Sequence, residues 1–454
     1  MSARENDTYD VVGIGFGPSN LSLAISLEEH HANVLTDPIT AAFFERQPSF
    51  GWHRNMLLPS ATMQISFLKD LVTFRNPVSR FGFVPFLHAQ GRLAQFVNRK
   101  EFFPTRQEFH QYLEWAAAGM SNVVSYNSAV TAIRGPREHA HTSADSLRLE
   151  IRDTAGGGSR WVGARNVVIS TGLEPRMPDG VVRDERVWHS SEFLDKFGRA
   201  DHGELKSVAV VGAGQSAAEI TKFFYEKLPH AQVHAILPSY GYSVADDTPF
   251  ANQVFDADAV DDYYFGDEPV RDTFWRYHRN TNYGVVDDAD IRHLYQIAYD
   301  EDLTGVKRLH FRNLTKVQSV VRDGRGARVL LKSPHHTAEP PLLDVDAIVF
   351  ATGYDTMDPT RLLGDLDRYC LRDESGRHRV TRDYRLVTTP ELTCGIYLQG
   401  GTEHTHGLTS SLLSNIAVRS GEIADSIVQR RAERDLVPAA AGVLSSLEAV
   451  EKPI

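Results

Sequence analysis

The 454-residue sequence predicts an α/β fold with two Rossmann-like dinucleotide-binding domains and a small inserted domain, and three observations carry that reading. The stretch Tyr9 to Leu23 runs from apolar residues into closely spaced glycines, Gly13, Gly15 and Gly17, and then into helix-forming sequence. A second copy follows about 200 residues on, where Ser207-Val-Ala-Val-Val leads into Gly212, Gly214 and Ala217. Two further apolar runs, Val167 to Leu173 and Ala347 to Tyr354, each end in a Thr-Gly pair.

Each signal has a physical reason. Gly13 and Gly15 let a strand turn sharply into a helix, and leave the helix N–H groups and positive dipole free to hold a pyrophosphate. Pro18 stands where a third glycine is expected, one place after Gly17. At the second turn Gln215 and Ser216 open the helix. One glycine turn before a helix is often only a turn; two in this order imply two dinucleotides. In two-dinucleotide flavoproteins, segments such as Ala351-Thr352-Gly353 run beside the first nucleotide site, where the chain leaves and re-enters that domain. The expected divisions are 1–172 and 346–454 for the first domain, 173–240 and 305–345 for the second, and 241–304 for the insertion.

Composition excludes several classes. Hydrophobic residues make up 42% and charged residues 24%, as in a globular protein. No apolar run approaches the roughly 20 residues of a membrane helix, and the polar start lacks a signal-peptide stretch, so a cytoplasmic protein is expected. The net charge of −11 without a basic run argues against nucleic acid. Cys370 and Cys394, the only cysteines, are too far apart for a redox Cys-x-x-C, which disfavours the flavin disulfide reductases.

Along the chain, Leu21 to Leu27 reads as a helix and Ala41 to Glu45 as a strand with an insertion around 33–40 before it. An acid such as Glu45 at a strand end normally accepts hydrogen bonds from an adenosine ribose. The irregular segment from Phe50 to Leu71 mixes Trp52, His53, Met63 and Gln64 with Lys69, a cation after an apolar pair that needs an anionic partner. For Trp52, His53 and Met63 taken singly, a core position is the simpler reading. Thr105 caps a helix with Glu108 as its capping-box partner, and Arg106 in the first turn opposes the helix dipole, which calls for an anion. Residues 128–171 read as a small antiparallel sheet turning at Gly156-Gly-Gly. In the insertion, Asn252 and Asn282 are uncharged hydrogen-bonding groups in aromatic sequence, although asparagine is also a turn former. The tail from Arg434 reads as weakly ordered.

Gly13-Ile-Gly-Phe-Gly-Pro-Ser-Asn, Trp52-His53, Met63 to Leu71, Asp247-Thr-Pro-Phe-Ala-Asn, Asn280-Thr-Asn-Tyr and Thr405 to Ser414 together resemble the microbial L-ornithine N5-monooxygenases and L-lysine N6-monooxygenases of siderophore biosynthesis. The resemblance spans roughly residues 8–430. It implies FAD at the first site and NADPH at the second, with O2 captured as a C4a-hydroperoxyflavin and one oxygen atom passed to the neutral side-chain amine of L-ornithine. A closed pocket protects such chemistry from water. By the same resemblance Lys69 pairs with the substrate carboxylate, Asn252 holds the amino-acid head group, and Asn282 bridges the side-chain amine and the nicotinamide ribose. Gln64 belongs beside the flavin's reactive edge, with Leu408 and Ser410 closing the substrate pocket. Cofactor contacts fall to Gly13, Gly15, Gly17, Pro18 and Glu45, to Trp52, His53, Met63 and Gln64, and to Thr352, Gly353 and Ser410. Gly212, Gly214, Gln215, Ser216 and Asn282 complete them.

The family usually has an arginine for the NADPH 2′-phosphate where this chain has Pro238, leaving Arg106 as the candidate phosphate partner and NADH as a possible donor. A homo-oligomer, by resemblance a tetramer, is expected, and no metal: Glu403-His-Thr-His offers two histidines without a third ligand. Lysine or a diamine are alternative substrates, one methylene being worth only about 1–3 kcal/mol. A Baeyer–Villiger-type oxygenase or flavin reductase would share both glycine turns but not the paired asparagines.

Overall fold

The computed structural model describes residues 8–33, 38–59, 61–135, 145–324, 326–334 and 341–448, with 31–33, 279, 280, 282 and 435–448 described by backbone alone. The insertion expected around 33–40 therefore lies mostly outside the described residues.

The first sheet is built from β1 (Thr8–Ile14), β2 (Ala41–Phe44), β3 (Val124–Ser125), β4 (Ser128–Arg134), β5 (Leu147–Asp153) and β6 (Ser159–Ile169). β1 lies between β2 and β6 and is parallel to both. From Val11 to Ile14 it is buried on both faces, so that run is apolar rather than alternating. β6 is also antiparallel to β5, and β5 to β4, so the antiparallel segment expected over 128–171 is one edge of this same sheet. The strand Gly395–Leu398 completes seven by pairing in parallel with β6. The helix after the first turn spans Pro18–Asn33, longer than the sequence pattern suggests, and packs against the terminal helix Ile416–Glu448. That terminal helix runs into the stretch expected to be weakly ordered as far as Glu448, and 449–454 lie outside the described residues.

The chain crosses to the second unit through β7 (Glu174–Pro175), then forms β8 (Val187–His189), β9 (Ser207–Val211), the helix Gln215–Lys227 and β10 (Gln232–Ile236). The insertion is closed at its neck by β11 (Ser243–Val244) pairing with β12 (Val285–Val286). Helix Asp288–Thr304 then packs on helix Gln215–Lys227 and leads into β13 (Leu309–Arg312). It is thus the crossover of the second unit, and the inserted part ends near residue 287 instead of 304. An antiparallel meander, β14 (Lys316–Asp323), β15 (Gly326–Lys332) and β16 (Leu342–Val345), covers one face of this sheet with Val329, Leu331 and Val345.

β17 (Ala347–Phe350) pairs in parallel with β9 and β8, giving the order β13-β10-β9-β17-β8. The expectation that the 347 segment rejoins the first unit is therefore corrected. Its continuously apolar sequence demands a central position, and both sheets offer one; β18 (Tyr354–Asp355), paired with β7, is where the chain returns. The Gly395–Leu398 strand, β19, then takes in the first sheet the outer place that β8 takes in the second. Both units therefore share one parallel plan, glycine turn at the centre.

Candidate active site

At the first turn Gly15 has φ +81°, and a Cβ there would lie 2.4 Å from the Ser170 carbonyl oxygen; at Gly13 it would strike the Phe43 ring at 2.1 Å. Both glycines are thus required by strand packing. Gly17 differs, because a Cβ there would meet nothing within 4 Å. Pro18 begins the helix, where its missing N–H costs nothing. Asn20 Nδ2 ties the turn by donating to the Gly15 carbonyl at 2.7 Å. Glu45 is buried at the end of β2; Oε2 accepts from Phe16 N–H at 2.8 Å and Oε1 from Gln47 N–H at 2.9 Å. Each oxygen keeps a lone pair for a ribose hydroxyl.

The segment after β19 closes over this turn. Gln399 Nε2 donates to Ser19 O and Asn20 Oδ1, and buried Arg419 donates to the carbonyls of Thr409 and Ser410 at 3.0 and 2.8 Å. Among the described residues, Gln399 Oε1, Thr402 Oγ1, Thr409 Oγ1 and Ser410 Oγ are buried without a hydrogen-bond partner. Each such group costs about 1–3 kcal/mol. Four in one segment beside a helix N-terminus fit a polar ligand, and a dinucleotide on the first turn supplies one.

The second turn repeats the geometry. Gly212 has φ +141°, and its Cβ would lie 2.4 Å from the Ala351 carbonyl, as Gly15 faces Ser170. The Ala351-Thr352-Gly353 segment therefore abuts the second turn. Thr352 Oγ1 donates to Arg176 O at 2.5 Å, and Gly353 O accepts from His189 Nε2 at 3.0 Å. Gly214 is the extended N-cap of the helix, followed by half-buried Gln215 and Ser216. The Gln215 side chain accepts from Asp287 N–H and donates to Glu219 and Asp290.

Arg106 does find the anion that its first-turn position calls for, but it is a carboxylate of the protein. Its terminal nitrogens lie 2.8 and 2.9 Å from the Glu219 oxygens, and one also donates to Met56 O. The guanidinium is thus held in an ion pair within the protein. Thr105 caps the helix by accepting from Glu108 N–H, while the Glu108 carboxylate faces Arg92 and Arg99 instead of closing the capping box.

The remaining candidates meet at the seam between the insertion and the first unit. Lys69 Nζ lies 5.8 Å from the Phe255 ring centroid. Burial lowers its pKa, the Asp256 charge raising it again in part. Among the described residues no carboxylate forms an ion pair with it. Asn252 ends the short helix Pro249–Asn252, and its Nδ2 donates to Asp247 O at 2.7 Å. The next turn, Gln253–Phe255, packs on the turn Leu408–Ser411, where Leu408 and Ser410 are buried. Asn282 ends the helix Glu268–Asn282, and its side chain lies outside the described residues. Its neighbour Tyr283 donates to Glu403 Oε1 at 2.8 Å, as does Ser411 Oγ. Gln64 is exposed and donates to Asp287 Oδ1 at 3.1 Å.

Met63 is buried in the first core, with Trp52 packed on it and edge-on to His53 and Phe109. His53 has left-handed backbone (φ 47°) and keeps exposed surface, yet the surrounding protein, then Arg106 and His110, holds its pKa down at about 4. His404 and His406 each donate to a backbone carbonyl. Asp367, Cys370 and His378 cluster within 4.8 Å, but Asp367 is already paired with His378 and Arg372. Sequence reasoning missed Asn20, Gln399, Glu219 and Arg419. Two carried a signal: Asn20 closes the Gly13-Ile-Gly-Phe-Gly-Pro-Ser-Asn motif, and Arg419 is a cation in the apolar stretch Ile416-Ala-Val-Arg.

No helix among the described residues is long and apolar enough to cross a membrane. Residues 7–356 match the model of the L-lysine 6-monooxygenase/L-ornithine 5-monooxygenase family. The L-ornithine N(5)-monooxygenase of Burkholderia cepacia is 38% identical over 409 residues, 89% of this chain and 91% of that one. The Kutzneria sp. 744 ornithine N-hydroxylase, solved with reduced FAD, NADP+ and L-orn, superposes with a TM-score of 0.89 at 58% identity, covering 93% of this chain and all of that one. The ornithine hydroxylase of Pseudomonas aeruginosa gives 0.86 at 34%, covering 93% and 99%. Matched by the family model over residues 7–356 and by the Burkholderia enzyme over 89% of its length, the chain belongs to the L-lysine 6-monooxygenase/L-ornithine 5-monooxygenase family.

Proposed function

We infer that this protein is an FAD- and NADPH-dependent L-ornithine N5-monooxygenase, forming N5-hydroxy-L-ornithine for hydroxamate siderophore or related biosynthesis. The observation that carries the substrate is the end-to-end likeness to ornithine hydroxylases, 58% identical for the Kutzneria enzyme. The Gly13–Gly17 turn, Glu45 and the orphaned oxygens of 399–410 would hold FAD, which when bound would supply the redox chemistry between the nicotinamide and O2.

The protein's own side chains bind, orient and exclude water. Lys69 pairs with the ornithine carboxylate, which supplies the anion its half-buried position lacks. Asn252 fixes the head group without adding charge. Asn282 meets the side-chain amine, which must be unprotonated to attack oxygen. Leu408 and Ser410 wall the pocket, and Gln64 approaches the flavin edge. Trp52, His53 and Met63 back the cofactor from the core side. We further propose a cytoplasmic homo-oligomer, by resemblance a tetramer, with 241–287 as the substrate-binding insertion; sedimentation velocity tests the assembly.

Incubation with FAD, NADPH, O2 and ornithine, lysine, putrescine or cadaverine, with detection of hydroxylamine product, tests the reading. Hydroxylated ornithine as the main product is expected. Peroxide alone from all four amines would overturn it, and preferential lysine hydroxylation would move the substrate by one methylene.

A further inference from the structure

We propose that Arg312 supplies the cation for the 2′-phosphate of NADPH, replacing across the sheet what Pro238 cannot provide. The inference rests on the nicotinamide reading above. In a doubly wound unit the adenosine ribose lies beyond the end of the strand next to the glycine turn. That strand is β10, since Gly212 N–H donates to Ile236 O at 3.0 Å. In parallel register Arg312 is the direct partner of Ile236. The two chains stay bonded beyond the strands: Leu237 N–H donates to Arg312 O, Thr315 N–H to Leu237 O and Leu314 N–H to Ser239 O. Arg312 therefore stands beside the stretch that carries Pro238, at the edge where the nucleotide lies.

Alternation puts Arg312 on the sheet face of His310 and His234, whose rings stack at 4.8 Å behind it. His310 Nε2 is held by Gln232 Oε1 at 2.6 Å, so the pair forms a fixed backing. Arg312 is half-buried, its Nε has no hydrogen-bond partner, and among the described residues no carboxylate pairs with it. Burial alone lowers its pKa, the signature of a cation lacking an anion. Four other cations of the unit are committed: Lys222 to Asp290, Arg186 to Glu204, Arg322 to Asp184, and Arg308 to the carbonyls of Tyr225, Leu228 and Ala231. Arg106 is held by Glu219.

The test compares wild-type, R312A, R312K and R312A/P238R holoenzymes in two ways. Calorimetric titration with 2′,5′-ADP and with 5′-AMP reads phosphate recognition without turnover, and kcat/KM for NADPH and NADH gives the ratio in catalysis. R312A should lose roughly tenfold to a hundredfold in 2′,5′-ADP affinity and in the NADPH/NADH ratio, the loss expected for one charge-assisted contact. R312K should recover part of both, and P238R should restore them in the R312A background. Equal loss for both members of each pair, or no change, would overturn the assignment. Should the wild type hydroxylate no amine, the functional reading falls while the calorimetric arm still decides for Arg312.

Discussion

Lys69 follows Phe67-Leu68 in sequence and sits half-buried beside Phe255 in space, so its need for an anion could be read from its neighbours alone. Lys69→Ala should raise the KM for ornithine strongly while leaving flavin reduction by NADPH near its wild-type rate. Stopped-flow reduction beside steady-state kinetics checks this, and an unchanged KM would remove Lys69 from the pocket. Arg106 was legible only by half: its position demanded an anion, but Glu219 lies 113 residues on, and nothing local names a partner that distant. The Arg106–Glu219 pair is nearly buried, at 13% and 4% side-chain exposure. Removing one member of such a pair strands the other charge, so Glu219→Ala should cost about 3–5 kcal/mol of stability. A denaturant midpoint unchanged from wild type would show that Arg106 finds water or another acceptor.

The glycine turns separate requirements that look alike in sequence. Gly15 is forced by its positive φ and by the Ser170 carbonyl, so Gly15→Ala should lower the Tm of the apoprotein by several degrees or abolish folding. Gly17 faces open space beside the helix N-terminus that would hold a pyrophosphate. Gly17→Ala should therefore leave the apoprotein Tm almost unchanged and reduce the FAD retained through purification. Equal behaviour of the two variants would refute the distinction. Elements with a strong local pattern, both turns and the 128–171 strands, were legible in the sequence. The sheet that receives a wholly apolar strand was not, because Ala347–Phe350 suits either centre and only pairing with β9 decides. Helix Asp288–Thr304 was assigned to the insertion for a similar reason: its return to the second unit is a long-range packing event.

Across the whole molecule, buried histidines set the acid limit of stability. Burial lowers the pKa of His189 and His234 from 6.5 to about 4 and that of His406 to about 3. His189 shows why: Nδ1 accepts Ser191 N–H while Nε2 donates to Gly353 O, leaving no place for a second proton. As pH falls below 6.5 the unfolded chain takes up protons that the native state refuses, so stability is full above that value and declines toward about 4. Tm should drop progressively across that window, and a flat profile would contradict it. The β7–β18 ribbon holds a different consequence. Tyr354 faces Pro175 and Asp355 faces Glu174, so the chain leaves the flavin-side unit and comes back at a single place. In terms of chain path the molecule is a host carrying a guest, entered and left at one ribbon. The guest's ends already meet, so its presence between β6 and β19 leaves the strand order of the host sheet uninterrupted.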